Sequence, residues 1–116
     1  MEGFGRVISA VEIVRGALEG SINLTELLIL AHLASAHPDP VSYADLSKNL
    51  GVTVTSVART IKRLGQHMVQ APNGTWKDNG LGLVAAGPDP YNVRQFVTTL
   101  TPAGLKLMNI VGKLLV

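Results

Sequence analysis

Apolar residues at helical spacing predict two helices at the start of the chain. In residues 6–18 they recur at Val7, Val11, Val14 and Leu18, flanked by Ile8 and Ile13. A second helix is predicted after Asn23, because Glu26 follows at the capping-box position. Its predicted buried face is Leu24, Leu27, Leu28, Ala31 and Ala34. Pro38 and Pro40 end this helix, because proline disfavours helix in the preceding residue.

Two further helices are predicted close together in the middle of the chain. Ser42 begins a short one, with Asp45 at the capping-box position, and Gly51 follows its end. Thr53 then caps a longer helix whose apolar residues repeat at steps of three and four. These residues are Val54, Val57, Ile61, Leu64 and Met68. The opposite face carries Thr55, Ser56, Arg59, Thr60, Lys62 and Arg63.

The second half of the chain predicts a hairpin followed by a last helix. Residues 71–80 are rich in turn formers and predict a loop or a small hairpin. Strands are predicted over 81–86 and 94–100, with a turn at Gly87-Pro88-Asp89-Pro90. In the second strand, Arg94, Phe96, Thr98 and Leu100 alternate with Gln95, Val97 and Thr99. Thr101-Pro102 is a typical helix start, and the helix continues to Leu115.

This order of elements favours a mostly α fold with a small β-hairpin wing, which is an α+β winged helix-turn-helix. Only Gly51-Val52-Thr53 separates the two middle helices, and the glycine permits a sharp turn. We interpret residues 1–116 as one domain, with the helix-turn-helix at about 42–70, the wing at about 81–100 and terminal helices at 6–18 and 102–115. A helical hairpin inside an all-α core is the structural alternative.

The polar face of the longer helix has the chemistry of a DNA recognition helix. Threonine and serine hydroxyls reach base edges and phosphates, and arginine pairs with guanine O6 and N7. Charge is uneven along the chain. Residues 1–58 hold three basic and six acidic side chains, whereas residues 59–116 hold seven basic and two acidic ones. This asymmetry suggests a basic face for a polyanion, or only ordinary solvated surface.

Other kinds of chemistry find little support in the sequence. The chain has no cysteine, which excludes disulfides and thiolate metal ligands. His32, His37 and His67 do not cluster with carboxylates, so neither a metal site nor another cofactor is expected. No motif places a nucleophile beside a base, so we do not expect an enzyme. The sequence shows neither a membrane span of about 18 apolar residues nor a signal peptide, and we expect a cytoplasmic protein.

The segment Leu46–Arg59 resembles the helix-turn-helix of MarR-type transcription regulators. Gly82-Leu83-Val84, Asp89-Pro90 through Arg94, and Thr101-Pro102-Ala103-Gly104 resemble the wing of that family and its next helix, so the resemblance covers about residues 22–110. It implies a homodimer on a palindromic operator, with the recognition helix in the major groove and the wing on the backbone or in the minor groove. Together with the polar helix face, it predicts a DNA-binding set of Thr53, Thr55, Ser56, Arg59, Thr60, Lys62, Arg63, Asn92, Arg94 and Gln95.

The sequence departs from the family pattern at three places. Val93 stands where the family often has a second wing arginine, which predicts a less basic wing. About ten extra residues, 70–80, separate the recognition helix from the wing and contain Trp76. They form a protein-partner surface, a second hairpin or a tolerated loop. Only one C-terminal helix follows the wing, so the first and last helices are the predicted dimer surfaces, or else intramolecular core.

The sequence therefore predicts a sequence-specific regulator that binds double-stranded DNA, acting as a repressor. Lys62, Arg63, Arg94 and Lys77 are expected to contact phosphates, and Thr55, Ser56 and Arg59 to read bases. The alternative is a winged-helix protein-interaction module without specific DNA readout, which would use the 70–80 loop.

Overall fold

A computed structural model describes residues 2–116. Its helices are α1 (Phe4–Ala17), α2 (Leu24–Ala36), α3 (Tyr43–Leu50), α4 (Val54–Leu64) and α5 (Pro102–Leu115). Its strands are β1 (Val41–Ser42), β2 (Met68–Gln70), β3 (Trp76–Asp78), β4 (Val84–Asp89) and β5 (Asn92–Leu100). The predicted class, mostly α with a β-hairpin wing, is confirmed. Within these residues, no helix is both long and apolar enough to cross a membrane.

The four N-caps expected from the sequence are present. Each cap side chain accepts a hydrogen bond from the backbone N–H three residues later, and the caps are Asn23, Ser42, Thr53 and Thr101. Glu26 completes the capping box of α2, because its Oε1 accepts from the Asn23 N–H at 2.9 Å. Since a cap contributes about 1 kcal/mol, these local bonds fix where four of the helices begin.

The wing belongs to a three-stranded antiparallel sheet with the order β1-β5-β4. Strand β4 pairs with β5 from Val84 opposite Leu100 to Pro88 opposite Phe96. The predicted turn at 87–90 is therefore wrong, because β4 continues to Asp89 and the chain reverses at Pro90 and Tyr91. Proline is tolerated in β4 because it is an edge strand, where one side of the backbone has no pairing partner.

The predicted strand over 81–83 is also wrong, because these residues bond to the end of α4. The N–H groups of Leu81, Gly82 and Leu83 donate to the carbonyls of Arg63, Gly65 and Leu64 at 2.8–3.0 Å. These contacts join the wing directly to the C-terminus of α4.

The segment between α4 and the wing forms a second hairpin, β2–β3, which was one of the three alternatives. Gln70 pairs with Trp76 and Met68 pairs with Asp78. The Asp78 Oδ1 accepts from the N–H groups of His67 and Gly80 at 2.9 and 2.8 Å. These two hydrogen bonds stabilise the charged carboxylate and lower the pKa of Asp78.

The core lies between the five helices and the inner face of the wing. Its fully buried large aliphatic residues are Val14, Leu18, Ile29, Leu30, Leu33, Leu46, Val57 and Leu64. In α4 the predicted stripe is buried at Val57, Ile61 and Leu64, whereas Val54 is exposed and Met68 lies beyond the helix in β2.

The predicted buried face of α2 is wrong. Leu24 is 69% exposed, and the face that enters the core carries Ile29, Leu30 and Leu33. Because α2 is apolar on nearly every side, helical spacing alone does not select one face. The same buried face also carries Glu26, which the sequence identified only as a capping residue.

Glu26 forms an ion pair with Arg63 of α4, in which the carboxylate is buried and the arginine side chain is partly exposed. Glu26 is 1% exposed, and its Oε2 contacts the Arg63 Nη1. The Arg63 Nη2 also donates to the carbonyls of Leu18 and Ser21 at 3.0 and 3.3 Å. One guanidinium therefore connects the last turn of α4 to the junction between α1 and α2.

Removing this guanidinium is expected to destabilise the fold. We expect Arg63→Met to lower the free energy of unfolding by about 3 kcal/mol, because it leaves the Glu26 carboxylate buried without a cation. The double variant Glu26→Gln/Arg63→Met should recover most of the loss, because glutamine keeps the capping box without a charge. Urea denaturation gives the free energy of unfolding of the wild type, the single variant and the double variant.

Arg15→Met is the matched control for this comparison. Arg15 pairs with Glu12 on the exposed surface of α1, so its loss should change stability by at most about 1 kcal/mol. Equal stability of Arg63→Met and Arg15→Met would contradict the structural role of the buried pair.

The lowered pKa of Asp78 predicts a pH-dependent hairpin. Its stabilising contribution is present above the ordinary value of 3.8 and is lost as the pH falls through the lower folded-state pKa. The fluorescence of Trp76 in β3 should follow this transition, and Asp78→Asn should abolish it. A transition that persists unchanged in Asp78→Asn would assign it to another group.

Candidate nucleic-acid interface

The turn between α3 and α4 sets the direction of the candidate recognition helix. Gly51 adopts a left-handed conformation with φ of 68°, which costs little for a residue without Cβ. The Ser47 Oγ donates to the Val52 carbonyl at 2.5 Å, and the Val52 N–H donates to the Ser47 carbonyl at 3.2 Å. With Leu46 and Val57 buried between the helices, this turn leaves the N-terminal half of α4 at the surface.

Three polar side chains on α4 share one exposed face. Thr55, Arg59 and Lys62 are separated by four and three residues, which places them on one side of the helix, away from buried Val57 and Leu64. Within residues 2–116 their side chains make no hydrogen bond or ion pair. Their donors are therefore free to bind a ligand from solvent.

The other hydroxyl residues of α4 are partly engaged within the helix. The Thr53 Oγ1 accepts from the Ser56 N–H at 3.0 Å as the N-cap. The Thr60 Oγ1 donates to the Ser56 carbonyl at 2.9 Å, so its one donor is occupied and the hydroxyl can only accept a further hydrogen bond. Thr53 is exposed and Ser56 is half-buried at the edge of the α4 face.

Arg63 is the sequence-predicted residue that the structure places elsewhere. It lies on α4, but its guanidinium turns away from the exposed face and binds Glu26 and the Leu18 and Ser21 carbonyls. The Arg63 Nη2 also donates to the Ser21 Oγ at 3.2 Å, so a phosphate contact by Arg63 would compete with four internal contacts. No local pattern indicates these contacts, because Arg63 and Leu18 are 45 residues apart in the chain.

The outer part of the wing is irregular. Asn92 and Arg94 are exposed, and the register of β5 shifts between Asn92 and Phe96, because Asp89 pairs with Asn92 and Pro88 with Phe96. The Phe96 ring lies 5.8 Å from the Tyr43 ring of α3, so Phe96 packs against the helix-turn-helix. Gln95 is half-buried. Asn92 and Arg94 are thus the exposed members of the predicted wing set, and Gln95 is less accessible.

The tip of the wing carries a residue that sequence analysis left out. Tyr91 is 98% exposed at the turn between β4 and β5. Its place after Asp89-Pro90, in the middle of a turn, was the available signal. No acidic side chain lies on α4, so Arg59, Lys62 and Arg94 give this surface a positive character. In the described part of the chain, no three His, Asp or Glu side chains group as a metal site.

No protein-family model and no curated protein matches the sequence of this chain. Solved structures do match its fold. The S. aureus MepR–DNA complex has a TM-score of 0.65 and 20% identity, over 96% of this chain and 81% of that one. An E. coli MarR mutant complexed with operator DNA has a TM-score of 0.58 and 17% identity, over 96% of this chain and 69% of that one.

A MepR mutant from a multidrug resistant S. aureus clinical isolate matches with a TM-score of 0.62 and 18% identity, over 90% of this chain. The match spans 63% of the length of that protein. These likenesses confirm the winged helix-turn-helix fold that the resemblance to MarR-type regulators implied.

Proposed function

We propose that the protein is a sequence-specific regulator of transcription that binds double-stranded DNA and represses by occupying a palindromic operator. The observation that carries this proposal is the exposed face of α4, where Thr55, Arg59 and Lys62 have no partner within residues 2–116. Support also comes from the fold, since solved structures of MepR and MarR with this architecture contain DNA.

In this proposal α4 lies in the major groove and the wing follows the backbone beside it. Thr55, Ser56 and Arg59 read base edges, because hydroxyls and guanidinium groups match the donors and acceptors found there. Lys62 and Arg94 bind phosphates and fix the position of the protein on the duplex, assisted by Thr53 and Asn92. Arg63 contributes indirectly, because it holds the end of α4 in place.

A homodimer is the second part of the proposal. α1, α2 and α5 enclose a cavity of about 310 Å³ lined entirely by apolar side chains. These are Val7, Ala10, Val11, Leu27, Leu28, Ala31, Met108, Val111 and Leu115. Phe4, Ile8 and Ile110 add exposed apolar surface on α1 and α5. A contiguous patch of this kind is typical of an interface, and two-fold pairing of α1 and α5 would repeat α4 on a palindrome.

Selection of bound duplexes from a random DNA pool at about 150 mM salt tests the function, because nonspecific binding is weak at this ionic strength. The expected result is a palindrome whose half-sites lie one helical turn apart. Enrichment of a single half-site would support DNA binding but contradict the homodimer. No enrichment would contradict the proposal and favour a protein-interaction module, with the exposed Trp76 of the β2–β3 hairpin as its contact. As a regulator of this kind the protein acts on DNA in the cytoplasm.

Arg59→Ala is expected to reduce affinity for the selected duplex by about 1–3 kcal/mol, because a bidentate pair with guanine is lost. It should also relax the preference at one base position. Lys62→Ala should weaken binding to all duplexes alike, and it should reduce the slope of log affinity against log salt concentration by about 1. Lys106→Ala, which removes an exposed cation from α5, is the control and should leave both quantities unchanged. If Arg59→Ala bound the selected duplex with wild-type affinity, Arg59 would not be part of the interface.

A further inference from the structure

The wing ends in an apolar tip instead of a basic one. Tyr91 is 98% and Val93 77% exposed, and Pro90 beside them is also exposed. Among the seventeen residues from Val84 to Leu100, only Asp89 and Arg94 are charged, so the wing has no net charge. Attraction to phosphates therefore does not account for the side chains that the wing presents at its end.

The backbone of the tip is ordered by hydrogen bonds to one aspartate and one asparagine side chain. The Asp89 Oδ1 accepts from the Tyr91 N–H at 2.9 Å, and the Asn92 Oδ1 accepts from the Arg94 N–H at 3.3 Å. Asp89 pairs with Asn92, so only Pro90 and Tyr91 lie between the two strands. A short turn with these bonds orders the backbone around Tyr91 before any ligand binds, which reduces the entropic cost of binding.

The tip is continuous with the DNA surface proposed above. Arg94 and Asn92 follow Tyr91 in β5, and Phe96 of the same strand contacts Tyr43 of α3. α3 is also the helix whose turn directs α4. An element that flanks a recognition helix along the duplex meets the neighbouring minor groove, as the N-terminal arms of homeodomains do.

We propose that Tyr91 is a minor-groove wedge, whose ring enters the groove next to the α4 site and partly unstacks one base step. This inference rests on the proposed DNA-binding function. Apolar side chains inserted from the minor groove kink DNA in this way, and an aromatic ring stacks on any base. Val93 covers the sugar edges beside the ring, and Arg94 binds the adjacent phosphate.

A wedge gives the wing a form of sequence preference that needs no hydrogen bond to a base. Pyrimidine–purine steps unstack and kink most easily, so the insertion costs least where such a step faces the tip. The expected operator therefore has a flexible step at a fixed distance outside each sequence read by α4.

Aminopurine, a fluorescent adenine analogue that brightens when unstacked, tests the wedge in the duplex selected from the random pool. Placed in turn at each step flanking the α4 half-site, it should brighten at one step when the wild-type protein binds. Tyr91→Ala should abolish this signal and weaken binding about tenfold, the lower part of the range for a lost base–aromatic stack. Tyr91→Phe should retain both the signal and the affinity.

Arg94→Ala is the matched control, because it alters the same wing without removing the ring. It should reduce the salt dependence of binding and still produce the fluorescence signal. Tyr91 is so exposed that its variants are expected to fold, which thermal unfolding verifies.

The other outcomes separate failure of the wedge from failure of the proposed function. If a duplex is enriched but Tyr91→Ala keeps the signal or the wild-type affinity, the wedge is overturned and DNA binding stands. Loss of affinity without any brightening in the wild-type complex also overturns it, as does a Tyr91→Phe variant that behaves like Tyr91→Ala, since the hydroxyl would then be the contact. If no duplex is enriched, the DNA-binding function and the wedge fail together.

Discussion

The ion pair between the buried Glu26 carboxylate and Arg63 connects α4 to the start of α2. The Glu26 carboxylate closes the capping box of α2 with one oxygen and binds Arg63 of α4 with the other. The same guanidinium reaches the carbonyls of Leu18 and Ser21. One carboxylate and one guanidinium thus connect three helices. Because a buried charge without its partner is costly, the position of α4 is coupled to the start of α2.

This arrangement separates the two roles of the cations on α4. Arg63 faces inward and stabilises the fold, whereas Arg59 and Lys62 face solvent on the opposite side of the buried stripe. The wing shows a similar separation, since Phe96 packs on Tyr43 and Tyr91 is exposed at the tip. In both elements the residues near the core hold the surface residues in place. The proposed interface is therefore carried by packed elements and not by a loose loop.

The sequence allowed prediction of features that depend on near neighbours. N-caps, the glycine turn and the stripe of α4 involve residues three or four apart, so Asn23, Thr53 and Val57 were correctly assigned. Features that depend on distant contacts were missed. The buried side of α2 is chosen by its packing, because the helix is apolar almost all round. The guanidinium of Arg63 binds groups that are far away in the sequence. Strand β4 continues through Pro88 because it lies at the edge of the sheet, where proline is tolerated.

The β2–β3 hairpin leaves and rejoins the fold at almost one point. The Gly82 N–H donates to the Gly65 carbonyl at 3.0 Å, and a Cβ at Gly80 would lie 2.0 Å from the same oxygen. Residues 66–80 thus form a segment whose two ends are held together by contacts of Gly65 with Gly80 and Gly82. Extra length inserted there costs only loop-closure entropy, which grows slowly with the number of residues. A change of length or sequence in residues 66–80 would therefore alter the surface of the hairpin and leave the relation between the helix-turn-helix and the wing unchanged.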